Sequence, residues 1–336
     1  MINRLLISLS FSLLVLLLTS CSGVKEIHQP EHASLSQSPV LQASPLQECA
    51  QVFIDSQPNM APTVYDSSPL LPYGNNLQLC YPHAFALEYW TGNHSPRWAA
   101  FTLPLSDNML TECSGEKLTE ERFHVDAQFP ENNLTADSYQ GSDFVPELLV
   151  PELLFEGNPC AQYHARVLTN VTPQHQYLQP LWHELARQIQ AWAKQSSKLY
   201  VVTGNAFQNF PYQAFEEFEQ GKLNKDKLIL GGTRIAAVSS DPASLNAMIK
   251  DDTLPTAYFA LLYRPEQNGI SEQMIGFLLP HTQQDLKLAN DSIWSFVAPL
   301  ETIETTSDVY FPGLKSHIDA PIKSDWFFKN RSIRSN

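Results

Sequence analysis

Leu178, Leu181, Trp182, Leu185, Ile189, Trp192 and Ala193 recur at the three- and four-residue spacing of one helical face, just after Pro173. A stripe holding two tryptophans must be covered, and the chain offers short apolar, β-branched and aromatic runs to cover it. Ala84–Tyr89 and Trp98–Leu103 flank Gly92-Asn93-His94-Ser95-Pro96 and read as a hairpin. Leu199–Thr203, Leu228–Val238, Tyr258–Tyr263 and Met274–Leu279 read as further strands, and His164–Asn170 is strand-like up to Thr172-Pro173. The combination predicts an α+β domain on a mixed, mostly antiparallel sheet. With 43% hydrophobic and 11% aromatic residues, the 336-residue chain has the material for one sizeable core.

The first residues dictate a different fate. Arg4 is followed by an apolar stretch from Leu5 to Leu18 and then by Thr19-Ser20-Cys21-Ser22. A short charged start, an apolar segment and small residues make a secretory signal, too short to be a permanent span. Leu18-Thr19-Ser20-Cys21 has the form of a bacterial lipobox, so Cys21 is expected to become the lipidated first residue of the mature chain. The expected location is the cell envelope, lipid-anchored through Cys21. Ser22 points to the outer membrane if the host has two.

Without Cys21 the chain keeps Cys49, Cys80, Cys113 and Cys160. Four cysteines in an oxidising compartment suit two disulfides, with three connectivities open. Sequence proximity favours Cys49–Cys80 and Cys113–Cys160. No Cys-x-x-Cys occurs, which argues against a thiolate metal site.

The expected organisation is a signal peptide over 1–20, a tether over 21–48, a folded domain over 49–314 and a tail over 315–336. The tether is rich in Ser, Pro, Gln and His. The tail is locally basic and carries Trp326-Phe327-Phe328, read as an aromatic anchor onto the body. The formal charge is −14, and the first twenty residues hold one Arg and no acid, so the acidity belongs to the body. Such a balance disfavours a broad phosphate-gripping surface.

The order of several motifs resembles that of the DNA/RNA non-specific endonucleases, the ββα-metal nucleases. They are Pro96-Arg97-Trp98-Ala99-Ala100-Phe101, Tyr139-Gln140-Gly141-Ser142-Asp143-Phe144, Leu168-Thr169-Asn170-Val171-Thr172-Pro173-Gln174, Trp182, Leu199-Tyr200-Val201-Val202-Thr203-Gly204, Leu254-Pro255-Thr256-Ala257-Tyr258-Phe259, and Ile303-Glu304 leading to Tyr310-Phe311-Pro312. The resemblance implies a ββα core. It also implies a mechanism in which a strand His in an Arg-Gly-His segment activates water. One Mg²⁺ held by a helix Asn stabilises the phosphate, and a Glu farther along the helix orients the metal's waters.

This sequence departs from that pattern at each chemical position. The family's Asp-Arg-Gly-His-x-x-Pro falls on Val145-Pro146-Glu147-Leu148-Leu149-Val150-Pro151, which puts Pro146 at the Arg, Glu147 at the Gly and Leu148 at the general base. Gln179 stands at the metal Asn and Ala186 at the Glu, while Asn170 and Gln174, which line the family's site, remain. Leucine cannot accept a proton and proline cannot clamp a phosphate. His164 and His175 are possible substitutes beside Glu147, whereas His183 and Glu184 are expected to face solvent. The expectation is a degenerate nuclease domain without cofactor, binding or scaffolding an unidentified envelope protein. The alternative is an active Mg²⁺-dependent DNA/RNA endonuclease with a rearranged site, and only then a nucleic-acid partner.

Overall fold

Phe85–Trp90 and Ala257–Arg264 are buried at every position, inward and outward alike. Strands of that kind belong to a sheet covered on both faces. The computed structural model describes residues 45–64, 76–82, 84–105, 121–130, 139, 142–215, 223–230, 254–269, 271–286, 292–315 and 327. The signal segment, the tether up to residue 44 and Cys113 lie outside the described residues.

In chain order the strands are β1 (Thr63–Val64), β2 (Asn76–Tyr81), β3 (Phe85–Trp90), β4 (Ser95–Leu103), β5 (Phe144–Leu148), β6 (Val171–His175), β7 (Leu199–Ala206), β8 (Ala257–Arg264), β9 (Gln273–Pro280) and β10 (Val309–Tyr310). The main helices are α1 (Pro159–Ala165), α2 (Gln179–Ala193) and α3 (Leu300–Ser307). A six-stranded antiparallel sheet runs β2-β3-β4-β7-β8-β9, and β5-β6 and β1-β10 form separate ribbons. The α+β expectation and the mainly antiparallel pairing hold. The hairpin is β3-β4, and the expected strands at Leu199, Tyr258 and Met274 are β7, β8 and β9.

The helical stripe forms α2, with Leu181, Trp182, Leu185, Ile189 and Trp192 all buried. Each contributes about 1.5–3 kcal/mol relative to exposure. Trp182 meets Tyr258 of β8 at a ring distance of 5.8 Å. Trp192 meets Phe277, Trp294 and, at 4.9 Å, Phe327 of the tail, so the tail does place an aromatic anchor on the body. On the opposite face of the sheet, Phe53 of the N-terminal segment packs edge-on against Trp98. Close approach leaves no room at Gly204, where a Cβ would stand 2.1 Å from the Phe259 ring.

Cys49 and Cys80 form a disulfide that ties the first 3₁₀ helix (Pro45–Val52) to β2. Cys160 is also disulfide-bonded.

Two expectations are corrected. His164 lies in α1, whose start is set by Asn158: its side chain accepts from Ala161 N–H at 3.0 Å, and Pro159 follows at N1. The strand begins only at Val171. At 228–230 the chain makes a single bridge, Leu228 to Thr282, rather than a strand, and 231–238 lies outside the described residues.

Candidate functional site

β5, β6 and α2 make a strand–strand–helix unit against the central sheet, and every position of the Arg-Gly-His and metal pattern falls on it. β5 and β6 pair antiparallel with Pro146 opposite Pro173 and Glu147 opposite Thr172. Two facing prolines can share only a non-hydrogen-bonded position, which fixes the register of this short ribbon. Trp182 then locks the helix to the strand, its indole N–H donating to the Leu148 carbonyl at 3.1 Å.

Directly opposed residues share a face, so Glu147 and Thr172 point the same way. Thr172 Oγ1 lies 3.0 Å from Asn205 Nδ2 and 3.2 Å from Ser95 Oγ of the central sheet. The Tyr258 hydroxyl donates to the Pro173 carbonyl. The ribbon is therefore fastened to the sheet by buried polar contacts.

Glu147 is 6% exposed. Its Oε1 accepts from Leu148 N–H at 3.1 Å, and its Oε2 accepts from Gln179 Nε2 at 2.7 Å. The same Oε2 lies 3.1 Å from Nε2 of His183. A carboxylate can only accept, so that Nε2 carries the proton. Burial pushes the Glu147 carboxyl up, but the His183, Gln179 and Leu148 donors together outweigh it and hold the group below its ordinary value. His183 was expected to face solvent; its side chain is instead 42% exposed with one nitrogen on Glu147. The sequence signal is its spacing: Gln179 and His183, four apart, share one face of α2.

The general-base position is apolar in its surroundings as well as its identity. Leu148 packs in a small cluster with Tyr139, Leu168, Val171, Ile229 and Leu254. The Glu position, Ala186, is buried.

The remaining candidates lie elsewhere or serve other ends. His164 makes ring contacts with Tyr81 and Tyr163 on the α1 side, not with Glu147. His175 is on β6; its Nδ1 accepts from Tyr177 N–H at 3.3 Å, and burial lowers its pKa against the pull of Asp143. Asn170 is wholly buried and staples loops, accepting from Val150 N–H and donating to the Val150 and Ala165 carbonyls. Gln174 is also wholly buried, and neither atom of its amide has a hydrogen-bond partner.

One histidine escapes sequence reasoning altogether. His281 donates from Nδ1 to the Pro255 carbonyl at 2.6 Å, and its Nε2 accepts from His175 N–H at 2.7 Å. Burial drives its pKa down to about 3, so this ring is a neutral strut under β6.

The Mg²⁺ that the family resemblance implies does not fit these side chains. Mg²⁺ takes oxygen donors in near-octahedral geometry and keeps several waters. Here the Glu147 carboxylate has both oxygens engaged by protein donors, its neighbour is an imidazole, and Ala186 offers no oxygen. Among the described residues no three His, Cys, Asp or Glu side chains gather as a metal site.

A chain of the crystal structure of the EndoG/EndoGI complex superposes with a TM-score of 0.49 at 15% identity, covering 72% of this chain and 87% of that one. No curated protein matches the chain. The sequence profile of the DNA/RNA non-specific endonucleases matches residues 66–315, about three quarters of the length. The chain belongs to the DNA/RNA non-specific endonuclease family.

Proposed function

We propose that this is a lipid-anchored envelope member of the family that has given up phosphodiester cleavage and serves as a binding or scaffolding domain for another envelope protein. The observation that carries the reading is the setting of Leu148. The general-base position holds a side chain with no lone pair, packed among Tyr139, Leu168, Val171, Ile229 and Leu254. Hydrolysis of a phosphodiester needs a base within hydrogen-bond reach of water, and such a cluster admits neither. Pro146 at the phosphate-clamp position and Ala186 at the metal-water position remove two further supports. The Leu18-Thr19-Ser20-Cys21 sequence supports the anchor, and the acidic balance suits a partner other than a polyphosphate.

The reading is tested by incubating the purified protein with supercoiled plasmid and with RNA in Mg²⁺ or Mn²⁺. No metal-dependent cleavage above a metal-free control is expected. Radiolabelled palmitate incorporation, lost in Cys21→Ala, tests the anchor.

A second reading draws on the Glu147–His183 pair. A buried carboxylate that orients an imidazole is the arrangement of a general base, and Nδ1 of His183, on a half-exposed side chain, makes no hydrogen bond among the described residues. In this reading the protein is an endonuclease with a rearranged site, acting on nucleic acid. Cleavage that disappears in His183→Ala would favour it over the first.

A further inference from the structure

We propose that a cleft at the far end of α2 binds a small primary amine with an aromatic or branched aliphatic body. The cleft lies between the end of β4, the 3₁₀ turn Glu152–Phe155 and the last turn of α2, and its volume is about 200 Å³. Gln190, Ala193 and Lys194 supply its helical wall, which begins seven residues beyond His183, about 10 Å along the axis. The cleft shares no residue with the Glu147 set, and the inference stands whether or not the chain cleaves nucleic acid.

Size and lining select the body of the ligand. Leu103, Leu154, Phe155 and Ala193 line the cleft and are all buried, so they make a preformed apolar floor. Phe155 is held by Phe85 and Phe101 at ring distances of 6.3 and 5.9 Å, which fixes that wall. A cavity of about 150 Å³ lined by apolar side chains holds a benzene ring. The larger volume here accommodates one ring with a one-carbon arm.

The rim selects the charge. Glu156 stands at the mouth, where its Oε2 accepts from Gln190 Nε2 at 3.0 Å, and the same amide donates to the Leu153 carbonyl at 2.8 Å. The carboxylate is thereby positioned while its side chain stays 71% exposed. The C-terminal end of α2 adds partial negative charge on the same side. Lys194 Nζ lies 3.9 Å from Glu156 Oε2, the outer limit of an ion pair, and its side chain is 68% exposed. Exposed pairs of this kind contribute little, so a ligand ammonium takes the place of Lys194 at small cost. With the ammonium on Glu156, the body of the ligand covers the apolar floor.

The test uses the full chain in detergent with para-fluorobenzylamine as the probe, observed by fluorine NMR against a detergent blank. Saturable binding at one site per chain is expected, with a Kd on the order of 1 mM for a ligand of this size. The matching benzyl alcohol, which keeps the ring and loses the charge, should bind roughly two- to fivefold more weakly. Methylamine, which keeps the charge and loses the ring, should not displace the probe. Glu156→Gln should bring the amine down to the affinity of the alcohol. Lys194→Ala, which removes the competing ammonium, should tighten the amine about twofold and leave the alcohol unchanged. Both positions are exposed, so neither variant threatens the fold. No saturable binding above the blank, equal affinity of amine and alcohol in the parent, displacement by methylamine, or an affinity unchanged by Glu156→Gln would each overturn the assignment.

Discussion

Nε2 of His183 lies 3.1 Å from Oε2 of Glu147, and the pair spans from α2 to the residue beside the general-base position. The pair closes the helix onto the strand where the family pattern places a glycine and a histidine. Removing Glu147 orphans buried donors rather than only deleting a contact. Glu147→Ala should therefore destabilise the protein by about 2–4 kcal/mol, since the Gln179 amide and Leu148 N–H lose their acceptor. His183→Ala, at a half-exposed position, should cost under about 1 kcal/mol. Urea denaturation of the two variants checks the ratio.

The same carboxylate sets a pH dependence of known sign. Its folded pKa is lowered, so the unfolded chain binds the proton more tightly. Its stabilising contribution is present above the ordinary glutamate range and is lost as pH falls through the folded value. Glu147→Gln should flatten the acid limb of a stability–pH curve measured by thermal unfolding.

Glu88 acts in the opposite sense. Burial raises its pKa to about 7 from 4.5, against the lowering influence of Arg97 and Gln78. The folded state holds the proton that the unfolded state releases, so stability falls as pH rises between those two values. The difference between the parent and Glu88→Gln should shift by about 3 kcal/mol from pH 4.5 to pH 8, in favour of the variant at high pH. Paired denaturation curves at the two pH values measure it.

Most of the architecture is legible in the sequence because it rests on periodicity. The α2 stripe and strands β3, β4, β7, β8 and β9 need only spacing and β-branched or aromatic content to be read. The strand-like reading of His164–Asn170 fails for a local reason: Val167 and Leu168 suggest alternation, whereas Asn158-Pro159 starts a helix that continues to Ala165. The site was legible as a set of substitutions, Pro146, Glu147, Leu148, Gln179 and Ala186. The four-residue spacing of Gln179 and His183 marks one face of α2, but their meeting with Glu147 depends on the register of β5 against β6 and on the seating of Trp182.

The covalent tie at the N-terminal edge should matter for stability. The Cys49–Cys80 bridge joins positions 31 apart. Closing such a loop restricts the unfolded chain by about 3–4 kcal/mol. A Cys49→Ala/Cys80→Ala variant should melt correspondingly lower, with Cys160 still protected from thiol reagents in the folded state.

Plasmid cleavage in Mg²⁺ or Mn²⁺ tests the central claim most directly, with the parent protein and Leu148→His compared side by side. The account expects no metal-dependent cleavage by either, because a histidine at position 148 meets the apolar cluster and neither a clamp at Pro146 nor a carboxylate at Ala186. Metal-dependent cleavage by the parent, abolished in His183→Ala or Glu147→Gln, would contradict it.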